Sequence, residues 1–292
     1  MAMPVDSEPR CVADVHAVLG EGPVWVARER ALYWVDIKGR KILRLGEDGR
    51  LSEWPTPMRV GSLVPRQSGG FIGGTDEGIA VIHPETESFQ IVANPDEQVP
   101  GNRFNDGKVD RRGRFWAGTM DDSEREATGT LYCIDKDFSW AAVDQGYKVT
   151  NGPAFSPLGD LMYHNDSGRR ITYVFELEGG VAKNRRTFLR FGDLDGFPDG
   201  MTVDSEGCLW ICFWDGGCLR RFSPQGDWLE TVKMPVQRPT SCAFGGHDLD
   251  RLYITSASIG LDENSLKMQP NAGGLFMLEP GVQGIEEVPF AG

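Results

Sequence analysis

The chain has 292 residues, of which 40% are hydrophobic and 25% charged, a balance typical of a folded globular protein rather than a disordered one. Its 37 glycines and 18 prolines favour many short strands joined by tight turns over long helices. The formal net charge of −13 argues against nucleic acid and anionic membranes as partners, since both would repel the protein at long range.

The first residues, MAMPVDSEPR, contain no basic segment followed by an apolar core, and no stretch of the chain reaches 18 apolar residues. We therefore expect no secretion signal, no membrane span and a cytoplasmic location. The six cysteines show no CxxC spacing and none lies beside a histidine, so the pattern predicts reduced, mostly buried thiols without a catalytic role.

One strand-and-turn unit recurs along the chain, and its clearest form is D-x-x-G followed by an apolar run that ends in Trp. The copies in chain order are RERALYW (28–34), SGGFIGG (68–74), DRRGRFW (110–116), SPLGDLM (156–162), DSEGCLW (204–210) and DLDRLYI (248–254). Successive copies are 39, 44, 46, 48 and 43 residues apart when measured at Tyr33, Ile72, Trp116, Met162, Trp210 and Tyr253. This spacing is typical of a four-stranded propeller blade.

The repeat predicts an all-β fold, a six-bladed β-propeller with four-stranded blades around a central channel. A seven-bladed propeller has a similar period, but only six copies are found. We expect residues 1–292 to form a single domain. The short N-terminal segment, residues 1–12, should close or trail the last blade.

A second, shorter strand precedes every copy of the repeat by a nearly constant distance. Its first residues lie 11 or 12 positions before the aligned sites and are Glu21, Val60, Asn105, Asn151, Asp199 and Ser241. The innermost strand of each blade runs along the central channel, so equivalent residues at its start should form a ring around one mouth.

Five members of this ring carry side-chain oxygens. Asn or Asp before Gly often only shapes a turn, but that explanation does not account for Glu21. Two carboxylates facing one narrow channel repel each other unless a cation lies between them. We infer one divalent ion bound by Glu21, Asn151 and Asp199. Oxygen ligands suit Ca²⁺, Mg²⁺ and Mn²⁺, and Zn²⁺ or Fe²⁺ are also compatible.

Several ordered motifs carry a family resemblance. They are LGEGPVW (19–25), WVDI (34–37), RFNDGKVD (103–110), GRFWAGTM (113–120), TNGPAFSP (150–157), PDGMTVD (198–204) and GCLW (207–210). In these motifs, which span essentially the whole chain, the sequence resembles the SMP-30/gluconolactonase/regucalcin-like family. The resemblance implies a six-bladed propeller with one divalent ion in the channel, held by the same three residues.

The resemblance also implies that Arg103 and Asn105 contact the substrate. The polar segment 121–129 that follows could cover the mouth as a lid, which makes Asp122 a candidate substrate contact. The implied activity is hydrolysis of a sugar (aldono-)lactone, such as glucono- or xylono-lactone, to the open-chain aldonic acid. In our hypothesis the metal polarises the lactone carbonyl and Asp199 acts as the catalytic base. We expect the enzyme to be a monomer.

Two alternatives stay open. One is a calcium-binding regulatory or scaffold propeller without catalysis, although a scaffold has no reason to line its channel with carboxylates. The other is an esterase that acts on non-sugar lactones or organophosphates, which would favour a more apolar mouth than one containing Arg103.

Overall fold

The computed structural model describes residues 8–292, and almost every regular element in this range is a β-strand. The strands form six antiparallel four-stranded sheets, one for each copy of the repeat. This confirms the predicted six-bladed β-propeller.

The first three blades take up residues 20–147. From the channel outwards, blade 1 consists of β2 (Gly20–Val26), β3 (Ala31–Asp36), β4 (Lys41–Gly46) and β5 (Leu51–Pro55). Blade 2 consists of β6 (Val60–Pro65), β7 (Phe71–Thr75), β8 (Ile79–His83) and β9 (Ser88–Ala93). Blade 3 consists of β10 (Asn102–Val109), β11 (Phe115–Asp121), β12 (Gly129–Ile134) and β13 (Trp140–Tyr147).

The last three blades follow in the same order. Blade 4 consists of β14 (Thr150–Phe155), β15 (Leu161–Asp166), β16 (Ile171–Glu178) and β17 (Val181–Arg190). Blade 5 consists of β18 (Phe197–Val203), β19 (Leu209–Trp214), β20 (Cys218–Phe222) and β21 (Trp228–Lys233). Blade 6 consists of β22 (Pro239–Gly245), β23 (Arg251–Ser256), β24 (Leu275–Leu278) and β1 (Arg10–Ala13).

Short helices occur only between strands in the described range. One α-helix, α1 (Glu263–Met268), lies between β23 and β24, and single 3₁₀ turns cover Ala27–Glu29, Pro84–Thr86 and Ser167–Arg169. Among residues 8–292, no helix has both the length and the apolar composition needed to cross a lipid bilayer.

The N-terminal strand closes the ring of blades. β1 pairs antiparallel with β24 and forms the outermost strand of a blade whose other strands come from the far end of the chain. Of the segment 1–12 that was expected to close or trail the last blade, residues 1–7 lie outside the described residues. The pairing covers the edge that β24 would otherwise expose.

The repeated Asp and Trp are explained by one shared set of hydrogen bonds. Asp110 accepts the backbone N–H groups of Arg112 and Arg114, and its second oxygen accepts the indole N–H of Trp116 at 2.9 Å. Asp204 makes the same contacts, with Trp210 again at 2.9 Å. The motif therefore ties the turn between the first two strands of a blade to a buried Trp on the second strand.

The hydrophobic core lies between the blades. The buried residues form six clusters, and each cluster joins the facing surfaces of two adjacent blades, including the first and the last. Trp34, Trp116 and Trp210 are the largest members and are at most 1% exposed. Each blade therefore buries both of its faces against its neighbours around the channel.

Candidate active site and metal centre

All six inner strands change register close to the same mouth of the channel. The shifts lie between Glu21 and Val24, Val60 and Ser62, Phe104 and Gly107, Asn151 and Ala154, Pro198 and Met201, and Pro239 and Cys242. Such a bulge leaves an extra residue unpaired and redirects nearby side chains. The residues that the spacing places in the ring therefore occupy the same strand position to within one residue. Glu21 and Asn151 are the last paired residues before the bulge of their strand, whereas Asn105 and Asp199 lie within the bulge.

Four of the six ring residues line one cavity of about 190 Å³ at this mouth: Glu21, Asn105, Asn151 and Asp199. Arg103 lines it as well, and all five side chains are nearly buried, at 3–7% exposure. The cavity is also lined by the carboxylate of Glu124 and by five apolar side chains: Leu19, Met120, Val149, Phe197 and Trp214. The cavity thus combines polar groups with apolar and aromatic ones, as ligand sites commonly do.

The other two ring residues lie elsewhere. Ser241 lines a smaller cavity deeper in the channel, together with Asp106 and Lys108. Val60 is buried in the core between blades 1 and 2. Asp122 does not line the main cavity but contacts it through Arg103, whose Nε donates to Asp122 Oδ1 at 2.7 Å.

A chain of hydrogen bonds crosses three blades and orients the amide of Asn151. Arg103 Nη1 donates to Asn105 Oδ1 at 2.7 Å, and Asn105 Nδ2 donates to Asn151 Oδ1 at 3.0 Å. Asn151 Nδ2 then donates to Ser167 Oγ at 2.8 Å, and that hydroxyl donates to the carbonyl of Pro198 at 2.5 Å.

Backbone carbonyls, which can only accept, determine which group donates and which accepts in this series of hydrogen bonds. Asn105 Nδ2 also donates to the carbonyl of Thr150 at 2.7 Å, and Ser167 has a single hydroxyl hydrogen, which the carbonyl of Pro198 receives. Ser167 must therefore accept from Asn151, so the carbonyl oxygen of Asn151 is the atom left with a free lone pair. That is the atom a metal ion would need.

The carboxylates of the site carry strongly shifted pKa values. Burial raises the pKa of Glu21 well above its usual range, and the nearby charge of Asp106 raises it further. Burial, followed by the charges of Glu21 and Asp106, likewise raises the pKa of Asp199. The charge of Arg103 lowers the pKa of Glu21, but this effect is smaller than those of burial and Asp106.

The donor set fits a divalent cation. Within residues 8–292, neither Glu21 nor Asp199 forms a salt bridge, although both are buried carboxylates. The same range contains no group of three or more His, Cys, Asp or Glu side chains arranged to hold a metal, and beside the two carboxylates the cavity offers the amide oxygen of Asn151. Two carboxylates and one amide oxygen suit a hard or borderline ion that also keeps water or substrate oxygens.

Asp106 is a channel residue that the sequence pattern did not indicate. Its carboxylate accepts the N–H groups of Gly107 and Gly152, both at 2.8 Å, and burial raises its pKa to about 6. In a regular strand Asp106 would point away from its neighbour Asn105, but the bulge in β10 brings both toward the channel. The bond to Gly152 links β10 to the backbone beside Asn151.

The apolar wall and Ser167 were also missed. Phe197 directly precedes the PDG motif and Trp214 ends β19, and both could have been read as core residues like the other aromatics. Ser167 belongs to a turn after β15, which carries no repeat signal. Only the closure of the blades into a ring places these three around one cavity.

Comparisons with known proteins agree with this geometry. The family model described as SMP-30/Gluconolactonase/LRE-like region matches residues 19–258. Regucalcin from Danio rerio is 38% identical over 289 residues, which is 97% of this chain and 98% of that protein. The 6-deoxy-6-sulfogluconolactonase from Pseudomonas putida is 37% identical over 286 residues, with the same two coverages.

A solved structure gives the same fold. The calcium-binding protein regucalcin from Agrobacterium tumefaciens superimposes with a TM-score of 0.92 at 26% sequence identity, covering 96% of each chain. The motif resemblance noted in the sequence is thereby confirmed, and the chain belongs to the SMP-30/gluconolactonase/LRE-like family.

Proposed function

We propose that this protein hydrolyses a sugar (aldono-)lactone, such as glucono- or xylono-lactone, to the open-chain aldonic acid with the help of one divalent ion. The observation that carries the proposal is the pair of buried carboxylates, Glu21 and Asp199, which face an open cavity without a cationic partner among residues 8–292. Family membership supports lactone hydrolysis in general.

The polar and apolar residues that line the cavity suit a sugar ring. Arg103 and Asn105 offer hydrogen bonds to hydroxyl groups, and Arg103 Nη2 has no hydrogen-bond partner among the described residues. Phe197 and Trp214 offer aromatic side chains to the C–H groups of the ring. A substrate bound by these groups would lie beside Asp199, which lines the same cavity.

Glu21, Asn151 and Asp199 would hold the ion. When bound, Ca²⁺, Mn²⁺, Mg²⁺, Zn²⁺ or Fe²⁺ would polarise the lactone carbonyl and stabilise the negative charge that develops on its oxygen. This role removes the need for a nucleophilic Ser or Cys, and the cysteines do not supply one: burial raises the pKa of Cys212 far above its usual range.

Asp199 would act as the catalytic residue. Its carboxylate accepts a proton from a water molecule as the water oxygen attacks the lactone carbonyl carbon. It then returns the proton to the ring oxygen as the bond between that oxygen and the carbonyl carbon breaks. The products are a free hydroxyl and a carboxylic acid.

A calcium-binding protein without catalysis is the second candidate, because several similar proteins are called regucalcin and one is described as calcium-binding. The two candidates differ in one outcome. A binding protein would take up the ion at the same ligands but would not open any lactone faster than water does.

The test is a pH-indicator assay over a panel of aldono-lactones. The protein is assayed as purified, after chelation, and with each of the five metals restored. We expect turnover that is lost on chelation and recovered with metal. We also expect Asp199→Asn to lose activity by a factor of roughly 10³ or more. Absence of turnover with every lactone and metal would favour the binding protein.

A further inference from the structure

Asp106 is a buried carboxylate of the channel that the mechanism proposed above does not use. Its side chain is almost entirely enclosed by protein. One of its oxygens accepts the N–H of Gly107 and the other accepts the N–H of Gly152, both at 2.8 Å. These two hydrogen bonds and the charge of Lys108 oppose the effect of burial and favour the ionised form of the carboxyl group. Asp106 therefore supplies a fixed negative charge inside the channel.

Asp106 lies close to the backbone that carries each proposed metal ligand. All three ligands are followed by a glycine, and these are Gly22, Gly152 and Gly200. Asp106 bonds directly to Gly152 and lines the deeper cavity together with Gly22. Ser241 lines the same cavity and packs so closely against Gly200 that a Cβ there would collide with its hydroxyl. The negative charge thus lies on the deeper side of the site.

Asp106 is not placed as a ligand itself. It lines the deeper cavity, whereas Glu21 and Asp199 line the main one. No three His, Cys, Asp or Glu side chains within residues 8–292 are grouped to hold a metal, so these three carboxylates do not form a joint ligand set. Both oxygens of Asp106 already accept an N–H group. Its charge must therefore act on an ion from outside the coordination shell.

The channel holds more negative charge than a divalent ion would neutralise. Glu21, Asp106 and Asp199 come from blades 1, 3 and 5, and within residues 8–292 none of them forms a salt bridge. Three ionised carboxylates around a divalent ion leave one negative charge in excess. Glu124, which lines the main cavity, adds to this excess.

The basic residues that line the two cavities do not remove this excess, because each pairs with another carboxylate. Lys108 of the deeper cavity lies 3.5 Å from Glu287, and Arg103 of the main cavity lies 2.7 Å from Asp122. A paired cation exerts a weaker field on a third charge than an isolated cation does. Asp106 therefore keeps most of its attraction for a cation in the channel.

We propose that Asp106 strengthens the binding of the divalent ion by its charge, without coordinating the ion. This inference rests on the metal centre of the proposed function and adds to it a residue that determines how tightly the ion is held. The energy between two charges is proportional to each of them, so the contribution of Asp106 grows with the charge of the ion.

The experiment compares the affinities for Mn²⁺ and Tb³⁺ in the wild type and in Asp106→Asn, which removes the charge and keeps the size of the side chain. Mn²⁺ is followed by electron paramagnetic resonance and Tb³⁺ by its luminescence, so neither readout depends on turnover. We expect the Kd for Mn²⁺ to rise by about tenfold, as is typical when a partner outside the ligand shell is lost. The Kd for Tb³⁺ should then rise by about thirtyfold, because its charge is half as large again.

Lys108→Gln tests the sign of the effect. It removes a positive charge from the deeper cavity, so both ions should bind more tightly than in the wild type. The gain should be smaller than the loss in Asp106→Asn, because Lys108 is already paired with Glu287. A substitution that only disturbed the packing would weaken binding instead. This variant also tests the inference should Asp106→Asn fail to fold.

Asp227→Asn removes a carboxylate at an exposed turn and should leave both affinities unchanged. An equal loss of Mn²⁺ and Tb³⁺ affinity in Asp106→Asn would show that only its backbone contacts matter and would overturn the inference, as would weaker binding in Lys108→Gln. A wild-type protein that binds neither ion would contradict the proposed metal centre itself, which separates the two failures.

Discussion

Asn151 shows how a single side chain can be oriented by residues that never touch the ligand. Its amide could point either way in isolation, but Asn105 donates to one end and Ser167 accepts from the other. Ser167 also donates to the carbonyl of Pro198, one residue before Asp199. A single hydroxyl therefore positions two of the three proposed ligands on adjacent blades.

Replacing Ser167 with Ala should weaken metal binding by about tenfold, because partners of this kind typically contribute 10- to 100-fold to affinity. Without the hydroxyl, Asn151 Nδ2 loses its acceptor and the amide is free to rotate. The measurement is Mn²⁺ affinity by electron paramagnetic resonance, which does not depend on turnover.

Ser167→Thr retains the hydroxyl and should restore most of the affinity. Ser156→Ala is the matched control, since its buried hydroxyl donates to Asp160 in the turn at the other end of β14. Equal Mn²⁺ affinity in wild type and Ser167→Ala would show that the amide of Asn151 does not need this support.

At the scale of single elements, β1 stands out because its partner strand comes from the other end of the chain. Ala13 is buried, and Val12 packs against the cluster between blades 6 and 1. Without β1, β24 would become an exposed edge and these contacts would be lost. The stability of the ring thus depends on a strand of only four residues.

Deletion of residues 1–13 should lower the free energy of unfolding by on the order of 3 kcal/mol, the cost of exposing one or two apolar side chains and a strand edge. In a chain of this size that corresponds to a thermal midpoint roughly 5 °C lower. Deletion of residues 1–7, which retains β1, is the control. Identical thermal midpoints for the two deletions would contradict a closing role for β1.

At the scale of the whole molecule, carboxylates from different blades meet in the channel and repel each other. Glu21 belongs to blade 1 and Asp199 to blade 5, and burial raises the pKa of both carboxyl groups. The charge of Asp106 raises the pKa of Glu21 further, and the charges of Glu21 and Asp106 raise that of Asp199. A carboxyl group whose pKa is higher in the folded than in the unfolded state contributes fully to stability at a pH below its unfolded-state pKa. That contribution is lost as the pH rises through its folded-state pKa. Without a bound cation, the ionised carboxylates of Glu21 and Asp199 therefore lower the free energy of unfolding at neutral pH.

Asp199→Asn should consequently have opposite effects with and without metal. At neutral pH in chelator, the variant should unfold at a higher temperature than the wild type, because the repulsion with Glu21 is gone. With excess Mn²⁺ the order should reverse, since an ion at a hundredfold its Kd adds about 2.7 kcal/mol only where it binds. Asp227→Asn, at an exposed turn, serves as the control. The same rank order in both conditions would refute the assignment of Asp199 to the ion.

The same raised pKa values predict that protons compete with the metal ion for Glu21 and Asp199. Because the pKa values of Glu21 and Asp199 are raised, protons compete with the ion at a higher pH than for exposed carboxylates. The affinity for Mn²⁺ should fall steadily as the pH is lowered from neutral into the mildly acidic range. Titration of Mn²⁺ at several pH values would measure this, and a constant affinity over that range would be inconsistent with two protonating ligands.

The sequence alone determined the blade architecture, because a local turn such as Asp110 to Trp116 needs only its own few residues and recurs at the length of a blade. It also placed Glu21, Asn105, Asn151 and Asp199 at one mouth, since spacing from that turn sets how far along the inner strand each residue lies. Only the tertiary structure decided which groups join them. Bulges suspend strand alternation and bring Asp106 into the channel, and ring closure brings Ser167, Phe197 and Trp214 around one cavity although they share no sequence spacing. These contacts depend on how separate blades meet, which no local pattern records.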